Sequence, residues 1–177
     1  MSPIMNGSRN PNVNGTINPR INGSINPDIN GSINPKINGS INPNINGSIN
    51  PNINGSINPN INGSLNLNIN GNINPHINGS INPHINGHIN PNINQNFLGK
   101  YVFDLTLREK EFIIHANDKI IIFFNMMLNM TRFGVLHSHN GYVVFDLNNT
   151  WISHLEFDSN NGYNEFDLSN NWVNIIK

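Results

Sequence analysis

An apolar residue stands at every fourth position from Val13 to Ile93, and asparagine holds every fourth position from Asn6 to Asn94. Glycine and proline alternate between them, so that Ile-Asn-Gly-Ser is followed by Ile-Asn-Pro-x, as in Ile37 to Asn44. Proline or glycine at this frequency excludes an α-helix, because proline lacks a donor and clashes one turn back. The pattern predicts serial turns instead: Asn-Pro presets a turn, and Asn-Gly tolerates positive φ. Burying one isoleucine contributes ~1.5–3 kcal/mol, whereas fixing four backbones costs about 4–8 kcal/mol, so order requires neighbours. Residues 1–96 are therefore expected as an octapeptide-repeat region, either β-solenoid-like or a turn-rich extended stalk. A coil of two octads, sixteen residues, would stack like turns on like turns and pile isoleucine on isoleucine. Against it stands the missing proline N–H in each octad.

The frame is constant while the residue after proline drifts through Arg20, Asp28, Lys36, Asn44 and His76, so that position is expected to face solvent. The Asn-Pro-x spacing, as in Asn42-Pro43-Asn44, resembles the tetrapeptide repeats of malarial sporozoite coat proteins. That resemblance implies serial β-turns at a surface.

From Phe97 onward the period changes. Phe103, Phe124, Phe145 and Phe166 stand twenty-one residues apart, as do Trp151 and Trp172, and Gly141 and Gly162. Four copies of one unit follow. Each unit reads as a β-hairpin: Tyr142 to Leu147 is a strand, Asn148 to Thr150 a turn, and Trp151 to Phe157 a second strand. Asn140-Gly141 and Asn161-Gly162 carry a strong hairpin signal. Residues 97–177 are thus expected as an antiparallel meander of seven or eight strands, a rolled sheet or a hairpin solenoid. The whole chain is all-β. Tyr101 to Leu105 and Phe145 to Trp151 resemble the outer hairpin of kelch-type blades, although a blade needs about fifty residues. Gly141-Tyr142 to Asp146 and Gly162-Tyr163 to Asp167 are similar to hairpin repeats of clostridial toxin and choline-binding modules. That likeness implies glycan or cell-wall binding through aromatics.

Composition narrows the function classes. Charged residues are 11% and the net charge is −1, which leaves no basic footprint for nucleic acid and little protection against self-association. Without cysteine there are no disulfides or thiolate metal sites. The apolar run from Ile120 to Met130 is too short to span a bilayer, and Met1 to Gly7 lacks a signal-peptide core, so a soluble protein of unknown compartment is expected.

Candidate chemistry is sparse. Nine Asn-Gly-Ser/Thr sequons occur, at Asn6, Asn14, Asn22, Asn30, Asn38, Asn46, Asn54, Asn62 and Asn78, and read first as turn chemistry. His76, His84 and His88, the pair His137 and His139 on one side of a strand, His115 and His154 form no zinc spacing, so no metal or cofactor is expected. Asp104, Asp146 and Asp167 recur in register. That suits a shared turn contact better than an acid pair, whose members need different environments. Tyr142, Trp151, Tyr163 and Trp172 are the candidate ligand-binding aromatics. The expected function is a non-enzymatic structural or interaction protein, a self-associating repeat stalk with a small β cap. The alternative is a glycan- or surface-binding module on a repeat spacer.

Overall fold

The computed structural model describes residues 5–177. Met1 to Ile4, the start of the stretch that lacks a signal-peptide core, lie outside them. Eight antiparallel strands close into a barrel in sequence order: β1 Lys100–Asp104, β2 Glu109–His115, β3 Ile120–Asn125, β4 Met130–Leu136, β5 Tyr142–Asp146, β6 Trp151–Phe157, β7 Tyr163–Asp167 and β8 Trp172–Ile176. The four twenty-one-residue units are its four hairpins. The sheet rolls until β8 pairs with β1, Phe103 facing Ile175, so no edge is left open. A barrel forms rather than a solenoid.

The recurring acid is a turn device. The Oδ1 atom of Asp146 accepts the amides of Asn148 and Thr150 at 2.9 and 2.8 Å, and Asp104, Asn125 and Asp167 do the same in the other hairpins.

Alternate residues separate lumen from outer face. Arg132 on β4 meets Glu111 on β2, Nη2 to Oε2 at 2.7 Å, and Glu165 on β7, Nη2 to Oε2 at 3.1 Å. Strands so far apart in the sheet share a contact only across the barrel interior. Val102, Ile113, Phe123, Val144, Leu155 and Ile176 lie on that inner side. Ser153 and Asn174 complete the partners of Glu165, donating at 2.6 and 2.8 Å.

The outer face is equally apolar. Phe103, Phe112, Ile122, Phe133, Val143 and Phe145 join one hydrophobic cluster with Ile57, Leu65, Ile73 and Ile81 of the repeat. The N-terminal repeat is therefore packed on the barrel as a belt. It contains no strand among the described residues, only short 3-10 turns such as Gly23–Ile25 and Gly79–Ile81. The β-solenoid-like expectation gives way to the turn-rich one.

Asparagine side chains replace the ladder that proline interrupts. In the Asn-Gly row, Oδ1 of Asn38 accepts the amide of Ser40 at 3.1 Å while Nδ2 donates to the carbonyl of Ser32 in the preceding octad at 2.7 Å. In the Asn-Pro row, Asn34 accepts from Lys36 and donates to the carbonyl of Pro27, both at 2.9 Å. Each octad is fastened to the one before it, so the repeating coil is eight residues and not sixteen. Nor does glycine supply positive φ, which no described glycine adopts. Its role in the belt is closeness: a Cβ on Gly31 would lie 3.2 Å from Cγ2 of Ile37 in the next octad.

The belt circles the barrel. Asn12 donates to Leu107 O and Arg20 to Leu105 O at the β1–β2 turn, at 3.0 and 2.8 Å. Lys36 and Asn44 reach Asn171 and Leu168 at the β7–β8 turn. Asn60 reaches Asn149 at β5–β6, and Asn92 reaches Met126 at β3–β4. Arg9 then meets Phe97 and Leu98, where the belt ends. The drifting residue after proline is exposed, as expected, and it also ties the belt to the hairpin tips.

Candidate interaction surface

Isoleucines of the belt fall into two classes that the sequence frame does not separate. Those before Asn-Pro turn toward the barrel, and Ile25, Ile49 and Ile73 are each 1% exposed. Those before Asn-Gly, from Val13 and Ile21 to Ile85, and Ile93 before Asn94-Gln95, point outward and are 69–72% exposed. Each outward side chain rests on the glycine of the preceding octad. The result is a regular row of eleven aliphatic groups at octad spacing.

The electrostatics of this row are flat. From Asn44 to Asn96 the sequence carries no Asp, Glu, Lys or Arg, so seven of the outward isoleucines, Ile45 to Ile93, stand on an uncharged stretch. A large exposed apolar array of this kind marks an interaction site or an association hazard. Where the belt ends, Ile89, Phe97, Leu98 and Ile114 line a cleft of about 460 Å³ with His88 and His115 at its side. Burial pushes the His115 imidazole down from its ordinary range, with the charge of Lys100 adding to the effect.

The four candidate aromatics do not assemble into one platform. Tyr142 and Tyr163 turn into the lumen and meet edge-to-face with centroids 5.6 Å apart. Burial pushes the Tyr142 phenol up, beyond the ordinary tyrosine range. Trp151 and Trp172 pack on the outer cluster, their Nε1–H groups donating to the carbonyls of Ser153 and Asn174 at 2.9 and 3.0 Å. His76, His84 and His88 are exposed on the belt. His137 and His139 lie on the β4–β5 turn rather than in a strand, one buried and one exposed. Among the described residues no group of three or more His, Cys, Asp or Glu could hold a metal ion, and no helix is long and apolar enough to cross a membrane.

No protein-family model, curated protein or solved structure matches the chain.

Two features escaped the sequence. The outward row was hidden because both isoleucines of the octad have the same neighbours on one side. The lumen network was hidden because Glu111, Arg132 and Glu165 occupy inward positions among apolar residues such as Ile113, Phe123 and Leu155.

Proposed function

We propose that the protein is a non-enzymatic structural or interaction protein that assembles with further copies of itself through the outward isoleucine row. The observation that carries this reading is that row: eleven aliphatic side chains at 69–72% exposure, held in register by the asparagine bonds beneath them. Two further facts support it. The net charge of −1 offers little repulsion between copies. The recurring Asp104, Asp146 and Asp167 have their Oδ1 atoms engaged by turn amides, which is a structural occupation. In this assembly the barrel is a rigid former and the belt presents the contact surface.

Sedimentation velocity of the full chain across a hundredfold concentration range tests the proposal. The wild-type protein gains mass with concentration. The triple variant Ile53→Asp, Ile61→Asp, Ile69→Asp places like charges along the row and remains a monomer with unchanged circular dichroism. A wild-type chain that stays monomeric throughout would sink the reading.

A further inference from the structure

Beneath the belt, the outer face of β6 and β7 carries three buried polar side chains, His154, Glu156 and Asn164, each 1% exposed. Asn164 is satisfied by the belt, donating to Ile25 O at 3.1 Å. The other two belong to a chain of contacts that runs from strand to belt. Glu156 Oε1 lies 2.9 Å from His154 Nδ1, His154 Nε2 lies 3.0 Å from Asn170 Oδ1, and Asn170 Nδ2 lies 3.1 Å from Asn42 Oδ1.

The direction of every bond in this chain follows from its belt end. Asn42 Oδ1 accepts the backbone amide of Asn44 at 2.9 Å, so that atom must be the oxygen. Asn170 must then offer its NH₂ group to Asn42 and its oxygen to His154. An amide oxygen only accepts, so Nε2 of His154 carries a hydrogen. At the other end a carboxylate also only accepts, so Nδ1 carries one too. Burial would push the Glu156 carboxyl up, but the imidazoles of His137, in close contact, and His154, in hydrogen bond, hold it below the ordinary range. His137 does not compete for the charge. Its Nδ1 accepts the amide of His139 at 3.2 Å, so it faces Glu156 through Nε2–H, at 3.4 Å.

The molecule contains its own comparison. Asn149 is the counterpart of Asn170 one unit earlier, with the same left-handed backbone, φ 62° against 59°. The residue matching His154 there is Phe133, and that matching Glu156 is Val135. In that unit the buried Asn149 Oδ1 has no hydrogen-bond partner.

We propose that His154 is held as an imidazolium and is a proton-dependent fastening between belt and barrel. Loss of the Nε2 proton sets a ring lone pair against Asn170 Oδ1 and releases the belt around Asn42. The titratable groups facing the ring are Glu156 on its own strand and His137 on the β4–β5 turn. β7 contributes the ring of Phe166, and the β7–β8 turn and the belt contribute the uncharged Asn170 and Asn42. At that turn Asp167, the last residue of β7, accepts the amide of Asn171, and Lys36 of the belt donates its Nζ to Asn171 Oδ1 at 2.7 Å.

The test uses the full chain with ¹⁵N-labelled histidine, from about pH 6 to about pH 9, on either side of the free imidazole range. Ring nitrogen shifts should report both nitrogens protonated in the folded protein at the acid end. As that signal is lost, hydrogen exchange at the amide of Asn44, corrected for the intrinsic pH effect, should accelerate at least tenfold. The variant His154→Phe, Glu156→Val copies the residues of the second unit and should fold with a pH-independent Asn44 protection. A neutral ring at the acid end would overturn the proposal. So would Asn44 protection that stays constant while the ring deprotonates, or that varies equally in the double variant.

Discussion

Asn60 donates its side-chain amide to the carbonyl of Asn149 at 3.0 Å, and forty-eight residues before it Asn12 makes the same bond to Leu107, forty-two residues before Asn149. Two twenty-four-residue steps along the belt thus match two twenty-one-residue steps around the barrel. Arg20, Asn44 and Asn92 reach Leu105, Leu168 and Met126, so through the β1–β8 closure each twenty-four-residue step moves one hairpin back, in the reverse of chain order. Burial follows the longer period: Asn18, Asn42, Asn66 and Asn90 are buried, as are Ile25, Ile49 and Ile73. Three octads are wound onto each hairpin.

This division of the isoleucines predicts opposite outcomes for substitutions that look identical in sequence. Ile49→Ala removes a side chain packed against the barrel and should cost about 2–4 kcal/mol. Ile45→Ala or Ile53→Ala removes an outward one and should stay within about 0.5 kcal/mol. Urea unfolding of the three variants checks it, and equal losses would mean that the inner and outer rows are not distinct.

Asparagine in the Asn-Gly row spends both ends of its amide. Asn38→Asp keeps the acceptor for Ser40 but sets a carboxylate against the carbonyl of Ser32, and should lose about 1–3 kcal/mol. A glycan on Nδ2 at the same sequon would crowd that bond too. Thermal denaturation of Asn38→Asp beside Ser40→Ala, which keeps the inter-octad bond, separates the two contributions. The second variant should be nearly neutral.

The lumen network fixes an acid limit. Burial would push the Glu165 carboxyl up, but the charge and hydrogen bonds of Arg132, with Ser153 and Asn174, hold it below its ordinary range. A depressed carboxyl contributes stability above its unfolded value, near pH 4.3, and loses it as pH falls through the folded value. Arg132→Met leaves Glu111 and Glu165 buried without a cation and should cost about 3–5 kcal/mol at neutral pH. Its stability relative to the wild type should rise on mild acidification, as the two carboxylates take up protons. Denaturant midpoints between neutral pH and pH 5 show which sign holds.

Gly99, Gly141 and Gly162 begin equivalent hairpins, and each faces a carbonyl of the adjoining strand. A Cβ on Gly141 would stand 2.1 Å from Leu155 O, so Gly141→Ala should lose about 2–4 kcal/mol. The matching residue of the second unit is Ile120, where β3 starts differently. Full stability in Gly141→Ala, measured by melting temperature, would contradict a close-packing role.

Much of the barrel was legible in the chain. Phe103, Phe124, Phe145 and Phe166 disclosed the units, and the Asp-x-x-x turns placed the hairpins. Closure was not legible, because pairing of β8 with β1 joins residues some seventy positions apart and leaves no local trace. The belt was harder. Its sequence repeats every eight residues while its burial repeats every twenty-four, since the curvature of the barrel, not the octad, decides which isoleucine is covered deepest. The candidate aromatics part to opposite faces for a related reason. Tyr142 and Trp151 sit on strands whose inward and outward positions are out of step across the β5–β6 irregularity at Val144 and Phe145.

The correspondence of three octads to one hairpin bears on how such a tract is inherited. Near-identical copies invite gain and loss of single octads during replication, and at the level of DNA every copy number is equivalent. On the protein it is not: adding one octad carries each later asparagine a third of a period past its hairpin tip and leaves Arg9 without Phe97 to close upon. The barrel thereby counts the copies, and a variable tract is kept to the length of its own circumference.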